Sequence, residues 1–209
     1  MPRPRTSLKS FLHSAKSILT APSSTSRPPV TFVIGNESAD VDSICSSILL
    51  AYLKTYSPHP HRNYPDTFYI PLSNIPRADL RLRPELLPVL KHAHLDTDDV
   101  LTLSDLPFPI EKDDGSELAR DSKWFLVDHN VLTGSLGTRF GNKVVGIIDH
   151  HFNEYEHPLT HDPVHGEGRA IEGVGSCASL IIQHARKANM FPARNQAWDE
   201  ELAYCADGF

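Results

Sequence analysis

The chain has 209 residues, 40% of them hydrophobic, and a formal charge of −6, which suits one soluble globular domain with a core of its own. A net negative chain leaves no basic footprint for nucleic acid, and no apolar run is long enough to cross a bilayer. Cys45, Cys177 and Cys205 lie far apart with no C-x-x-C pair, as expected of small buried side chains in a reducing compartment.

The first 36 residues hold no Asp or Glu but do hold Arg3, Arg5, Lys9, Lys16 and Arg27. Leu8, Phe11, Leu12, Ala15, Ile18 and Leu19 recur at helical spacing, so a helix with one apolar stripe is expected there. Pro22–Pro29 reads as a linker, which sets residues 1–29 apart from a domain over 30–190 and a terminal segment over 191–209. A helix docked on a cytoplasmic domain accounts for the stripe. The same basic, serine-rich pattern also reads as a mitochondrial transit peptide, the alternative location.

From Val30 onward strands and helices alternate. Val30–Ile34 is an apolar strand closed by Gly35, and a polar loop with Asp40 and Asp42 leads to a helix opening near Ser43. Thr67–Ile70 is a short β-prone run ending at Pro71, and residues 84–95 read as a helix with Pro84 in its first turn. Asp99–Leu103 is expected to be a strand, residues 104–121 a loop carrying the solvated charged run Glu111–Gly115, and Gly134–Gly137 a turn. Lys123–Val127 and Lys143–Ile148 are continuous apolar runs, the pattern of strands covered on both faces of a parallel sheet. A short strand at Arg169–Glu172 precedes a helix from Ser176, a natural N-cap, to about Ala188, and a further helical pattern starts near Asn195. The fold class is therefore α/β, doubly wound, with a mainly parallel sheet.

Three buried-type strands end in polar clusters: Asp40 with Asp42, Asp128-His129, and Asp149-His150-His151. Parallel strands bring such ends to one edge, where open α/β sheets bind ligands. Carboxylates gathered there repel unless cations neutralise them. Bridging carboxylates with an imidazole match a pair of Mn²⁺ or Mg²⁺ ions better than a structural zinc site. Such a pair can activate a water and neutralise charge on a phosphoryl group. His157, His161 and His165 are spaced like zinc ligands on a helix, but Pro158, Pro163 and Gly166 break that helix. His59, His61, His92 and His94 read as surface residues.

The segments Gly35-Asn-Glu-Ser-Ala-Asp-Val-Asp-Ser43, Leu126-Val-Asp-His-Asn130, Ile148-Asp-His-His151 and Val174-Gly-Ser-Cys-Ala178, in this order, give the chain its likeness to a known family. Over residues 30 to about 180 it resembles the DHH phosphoesterase superfamily, in the branch of family II inorganic pyrophosphatases and fungal-type exopolyphosphatases. The resemblance implies that Asp40 binds a first metal, Asp42 and His150 a second, and that Asp128 bridges the two. It implies that His151 contacts substrate phosphate and that Asp149 orients the histidine pair. Asn36 stands where the pyrophosphatases place a histidine ligand. With its neighbours Glu37, Ser38 and Ala39 it resembles the exopolyphosphatase branch. Asn36 and His151 are thus expected to hold phosphate, with Ser43 beside them.

The implied activity is release of terminal phosphate from inorganic polyphosphate through a water activated between two divalent cations. Hydrolysis of pyrophosphate and the phosphodiesterase chemistry of other branches stand as alternatives. The family also carries a further Asp-Thr metal motif and a second, basic domain that grips substrate. Glu201–Phe209 supplies neither, so a shortened member is expected, and a catalytically incomplete metal-binding fragment is the rival reading. The sequence leaves the oligomeric state open.

Overall fold

The computed structural model describes residues 5–22, 26–57, 66–154 and 168–190. The helical pattern near Asn195, Cys205 and the histidines at 59, 61, 157, 161 and 165 fall outside these residues.

A single five-stranded sheet carries the domain, with strands β1 (Val30–Ile34), β2 (Phe68–Leu72), β3 (Lys123–Val127), β4 (Val144–Asp149) and β5 (Gly168–Ile171) in the order β2-β1-β3-β4-β5. Every neighbouring pair is parallel, and β1 sets Phe32 beside Trp124 and Ile34 beside Leu126 of β3. β1 and β2 are buried along their whole length, as their unbroken apolar sequences require. Chain order reverses between β1 and β3, and in open α/β sheets ligands bind outside the carboxyl edge at such a switch point.

Helices cover both faces. On one side α2 (Val41–Thr55) packs against α6 (Cys177–Lys187), and α1 (Leu8–Thr20) meets α2 through the rings of Phe11 and Tyr52. There the Lys54 ammonium of α2 lies 5.0 Å from the Phe125 ring centre. Phe32 and Trp124 are one step away along their strands and so point to the other face. They meet Phe108 and Phe140, with Trp124 stacked 4.7 Å from Phe140. The apolar stripe of α1 buries Leu8, Phe11, Leu12, Ala15 and Leu19, and Phe11 stacks on Phe68 of β2 at 5.7 Å. Lys9 and His13, on the polar side, pair with Asp99 at 3.2 and 3.0 Å. The docked helix is thus what the structure shows.

Several local expectations are corrected. Asp99–Leu103 is not a strand: only Thr102 bridges to Ser73, between 3-10 turns at Thr97–Asp99 and Leu103–Asp105. Each turn is closed by a capping box, Asp96 with Asp99 and Thr102 with Asp105. Those side chains occupy backbone donors that a ladder would need. Gly134–Gly137 is not an isolated turn but opens α5 (Gly134–Phe140), whose Leu136 and Phe140 are buried one helical turn apart. Packing of that pair overrides the low helix propensity of glycine. The loop 104–121 includes a short helix, α4 (Glu117–Asp121), capped by Ser116. The helix expected over 84–95 is only α3 (Leu86–His92), with Pro88 tolerated in its first turn. β2 runs through Pro71 to Leu72, which an edge strand permits because proline's missing donor can face outward.

Candidate metal centre

The loop after β1 is built to turn sharply. Gly35 passes so close to α2 that a Cβ there would lie 2.2 Å from Ser43 Oγ. The Asn36 N–H donates to that hydroxyl at 2.7 Å. Ala39, buried, adopts a left-handed φ of 46°, and its N–H donates to Asn36 Oδ1 at 3.1 Å. Asp40 caps α2, Oδ1 accepting the Ser43 N–H at 2.9 Å, while Oδ2 accepts from Ser38 Oγ at 3.1 Å. The helix therefore starts at Val41, two residues before the serine expected to open it.

Asp42 reaches across to α6. Its Oδ2 accepts the Cys177 N–H at 2.8 Å and its Oδ1 the Ala178 N–H at 3.0 Å, with Ser46 Oγ at 3.2 Å. A carboxylate at the first turn of a helix satisfies orphan donors and meets the positive end of the helix dipole. Each of its oxygens has two lone pairs, and Oδ2 lies 3.8 Å from His150 Nε2.

β3 and β4 end in a rigid polar knot. Asp149, fully buried, accepts through Oδ1 from the His150 N–H (2.8 Å), the His151 N–H (3.2 Å) and His151 Nδ1 (2.8 Å). Asn130 Nδ2 donates to its Oδ2 at 2.6 Å and to the Phe152 carbonyl at 2.8 Å. His150 Nδ1 lies 3.0 Å from the Val174 carbonyl. A carbonyl only accepts, so Nδ1 carries a proton, and in the neutral ring Nε2 offers its lone pair, the tautomer a metal needs.

That lone pair faces Asp128. Nε2 is 3.0 Å from Asp128 Oδ1, yet this oxygen is buried with no hydrogen-bond partner among the described residues. Asp128 Oδ2 accepts from Asn36 Nδ2 at 2.9 Å. The residue itself is 2% exposed and sits at a left-handed φ of 63°, a conformation that favours glycine and is held only where its surroundings impose it. Asp128, His150 and His151 each bring one possible ligand atom within 4.8 Å of the others.

The electrostatics follow from this packing. Burial, then the nearby charges of Asp42 and Asp40, push the Asp128 carboxyl up from 3.8 to about 7. Burial works to lower His151, but its bond to Asp149 and the charges of Asp149, Asp128 and Asp40 hold it above its ordinary value. His129 donates from Nδ1 toward the Val127 carbonyl at 2.9 Å, and burial lowers its pKa, so it stays neutral beside the group. A buried acceptor pair, Oδ1 against a lone-pair nitrogen, is repulsive until a proton or a cation lies between them. The residues present therefore fit a divalent cation, with oxygen and imidazole donors of the Mn²⁺ or Mg²⁺ kind.

Comparison with known proteins agrees with the motifs. The DHH family, N-terminal domain, matches residues 30–206. The chain belongs to the DHH family. A Schizosaccharomyces pombe protein named "Putative exopolyphosphatase" is 36% identical over 80% of this chain and 39% of its own length. Human exopolyphosphatase PRUNE1 is 27% identical over 74% of this chain and 30% of its own length, and mouse PRUNE1 29% identical over the same shares. The chain thus spans about two-fifths or less of the length of these relatives.

Within this DHH-family domain, the expected site residues fall into two groups. Asp128, His150, His151, Asp149, Asn36 and Asp42 are joined by direct contacts of 3.8 Å or less. Asp40 is more peripheral, exposed and occupied as a helix cap. Ser43, expected beside phosphate, is 1% exposed and holds the Asn36 backbone instead. Sequence reasoning missed Asn130 as the clamp on Asp149, the Val174 carbonyl as the guide of His150, and the bonds from α6 to Asp42. Asn130 and Val174-Gly-Ser-Cys-Ala178 were visible as motif positions. Their tasks depend on contacts across 19 to 136 residues.

Proposed function

We propose that this chain carries the cation-binding half of an exopolyphosphatase-type phosphohydrolase, which releases terminal phosphate from inorganic polyphosphate. The observation behind it is the buried, unpartnered Asp128 Oδ1 set 3.0 Å from the His150 Nε2 lone pair. The names of the relatives support polyphosphate as substrate.

In this reading Asp40 would hold one cation, Asp42 and His150 a second, and Asp128 would contribute to both. Bound divalent cations would activate water and neutralise phosphoryl charge. The chain's own residues supply the positioning that phosphoryl transfer chiefly needs. Asp149 locks the ring of His151 through Nδ1, which leaves Nε2 to donate to a phosphate oxygen. Its raised pKa keeps more of that ring cationic near neutrality. Asn36 aims its amide at Asp128 and fixes the carboxylate. Ser43 keeps the loop in register from beneath.

The test is Mn²⁺ and Mg²⁺ titration of the purified chain, followed by phosphate release from polyphosphate, pyrophosphate and an oligonucleotide in competition. Cation-dependent release favouring polyphosphate is the expected result. A chain that binds no divalent cation overturns the centre. The fraction of the relatives' length that this chain covers favours a second reading, a cation-binding fragment without turnover. Tight Mn²⁺ binding with no phosphate release would decide for it, and preferred pyrophosphate or oligonucleotide cleavage would decide against polyphosphate.

A further inference from the structure

The loop carrying Asp40 and Asp42 owes its shape to one peptide, that between Ser38 and Ala39. Its N–H is held by Asn36, through the carbonyl at 3.2 Å and Oδ1 at 3.1 Å. Its carbonyl, Ser38 O, accepts from Nη2 of Arg83, a residue 45 positions away. The peptide leads into Ala39, buried at φ 46°, where residues other than glycine, asparagine and aspartate are disfavoured. Alanine has no intrinsic preference for that conformation, and Asn36 holds only the N–H side of the peptide. The contact from Arg83 is a tertiary force that favours it.

We propose that Arg83 is a positioning residue for the cation centre, acting on Asp40 and, by way of Asn36, on Asp128 through the Ser38–Ala39 peptide. The inference rests on the two-cation reading above. A flip of that peptide would release Ser38, whose hydroxyl lies 2.7 Å from Asn36 Oδ1 and 3.1 Å from Asp40 Oδ2. It would loosen together the amide that fixes Asp128 and the carboxylate that caps α2. Arg83 is placed for the task by its own backbone, whose N–H closes the 3-10 helix Arg77–Leu82 on the Leu80 carbonyl at 3.0 Å, and by Pro84 behind it. Among the described residues no carboxylate pairs with its guanidinium. The guanidinium instead meets the carbonyls of Ser38 and Leu82, and Nε is buried without a partner among those residues. A planar guanidinium is better suited than an ammonium to holding one carbonyl in a fixed direction.

The position of this arginine allows a test that separates loop geometry from general stability. If Arg83 acts by holding Ala39 in its left-handed conformation, glycine at that position should make it largely dispensable, because glycine enters that region freely. Mn²⁺ dissociation constants would be measured by electron paramagnetic resonance on the whole chain for wild type, R83A, R83K, A39G and R83A/A39G, with thermal melts in parallel. Arg83→Ala should weaken Mn²⁺ binding about tenfold, the lower range for residues that orient ligands. Arg83→Lys should recover part of the loss, and Ala39→Gly in the R83A background most of it. A folded R83A chain that binds Mn²⁺ as wild type does, or an equally large loss from R83A in the A39G background, overturns the inference. If R83A fails to fold, R83K against R83K/A39G carries the same comparison. Wild-type protein that takes up no Mn²⁺ would instead sink the cation reading, and this inference with it.

Discussion

Asp40 and Asp128 both follow a buried strand of one parallel sheet, and they are opposite in condition. Asp40 is exposed, and both its oxygens accept hydrogen bonds, from the Ser43 N–H and Ser38 Oγ. Asp128 is 2% exposed, backbone-strained, and keeps one oxygen without a donor against the lone pair of His150. The first is a carboxylate any stable domain could carry as a helix cap. The second costs stability where it stands when ionised, and a proton or a cation beside it would remove that cost. Proximity of acids to a sheet edge is thus weak support for a metal centre, whereas an unmet buried acceptor is strong support.

The sharpest way to break the contrast is Asp128→Asn in the cation-free protein. A carboxyl pushed from 3.8 to about 7 corresponds to roughly 4 kcal/mol of destabilisation when ionised, as an upper estimate. The folded state binds the proton more tightly than the unfolded one, so stability falls as pH rises from about 4 to 7. His151, also raised, adds to the same trend, its contribution being lost as pH climbs through its folded value. Asparagine removes the charge and can donate to His150 Nε2, so D128N should melt higher than wild type at pH 8 and show a flatter pH profile. It should also lose Mn²⁺ binding. Equal melting temperatures at pH 8 would mean that Asp128 is not the strained member.

Next in size is Asp149→Ala. Its carboxylate satisfies the His150 and His151 N–H groups, the His151 ring and Asn130 in a fully buried position. Leaving such donors unmet costs about 3 kcal/mol, readable by urea denaturation, and the variant should weaken Mn²⁺ as well by freeing His150. Here, unlike at Asp128, loss of charge and loss of stability go together.

The smallest effect on stability is expected for Asp40→Asn. Asparagine caps helices about as well as aspartate, so the change in unfolding free energy should stay below about 0.5 kcal/mol. If Asp40 serves a cation, Mn²⁺ affinity should still fall measurably. Unchanged Mn²⁺ binding in D40N would leave this residue as a cap alone.

The amino-acid order made much of this legible. β1 and β3 occupy the expected residues, and β4, β5 and α6 lie within a residue of their expected bounds, because unbroken apolar runs and a serine N-cap are local signals. The elements that escaped it were decided by side chains competing for backbone donors or by packing. The capping boxes around Val100–Leu103 replaced a strand, and the Leu136–Phe140 pair drew two glycines into a helix. At the site, the motif residues could be named in advance, but Ser43 looked like a phosphate contact only because burial is invisible in one dimension.

What the chain alone determined is the set of donors and the edge on which they gather, since parallel apolar strands ending in acids and histidines can place them nowhere else. Tertiary structure decided which of those groups is satisfied. Asp42 found the first turn of α6, Asp40 found its own helix, and Asn130 found Asp149. Asp128 Oδ1 was left buried without a donor among the described residues. Hydrogen-bond satisfaction at this site depends on partners up to 136 residues away, which is why the ligand types could be read from the sequence and the unmet acceptor only from the fold.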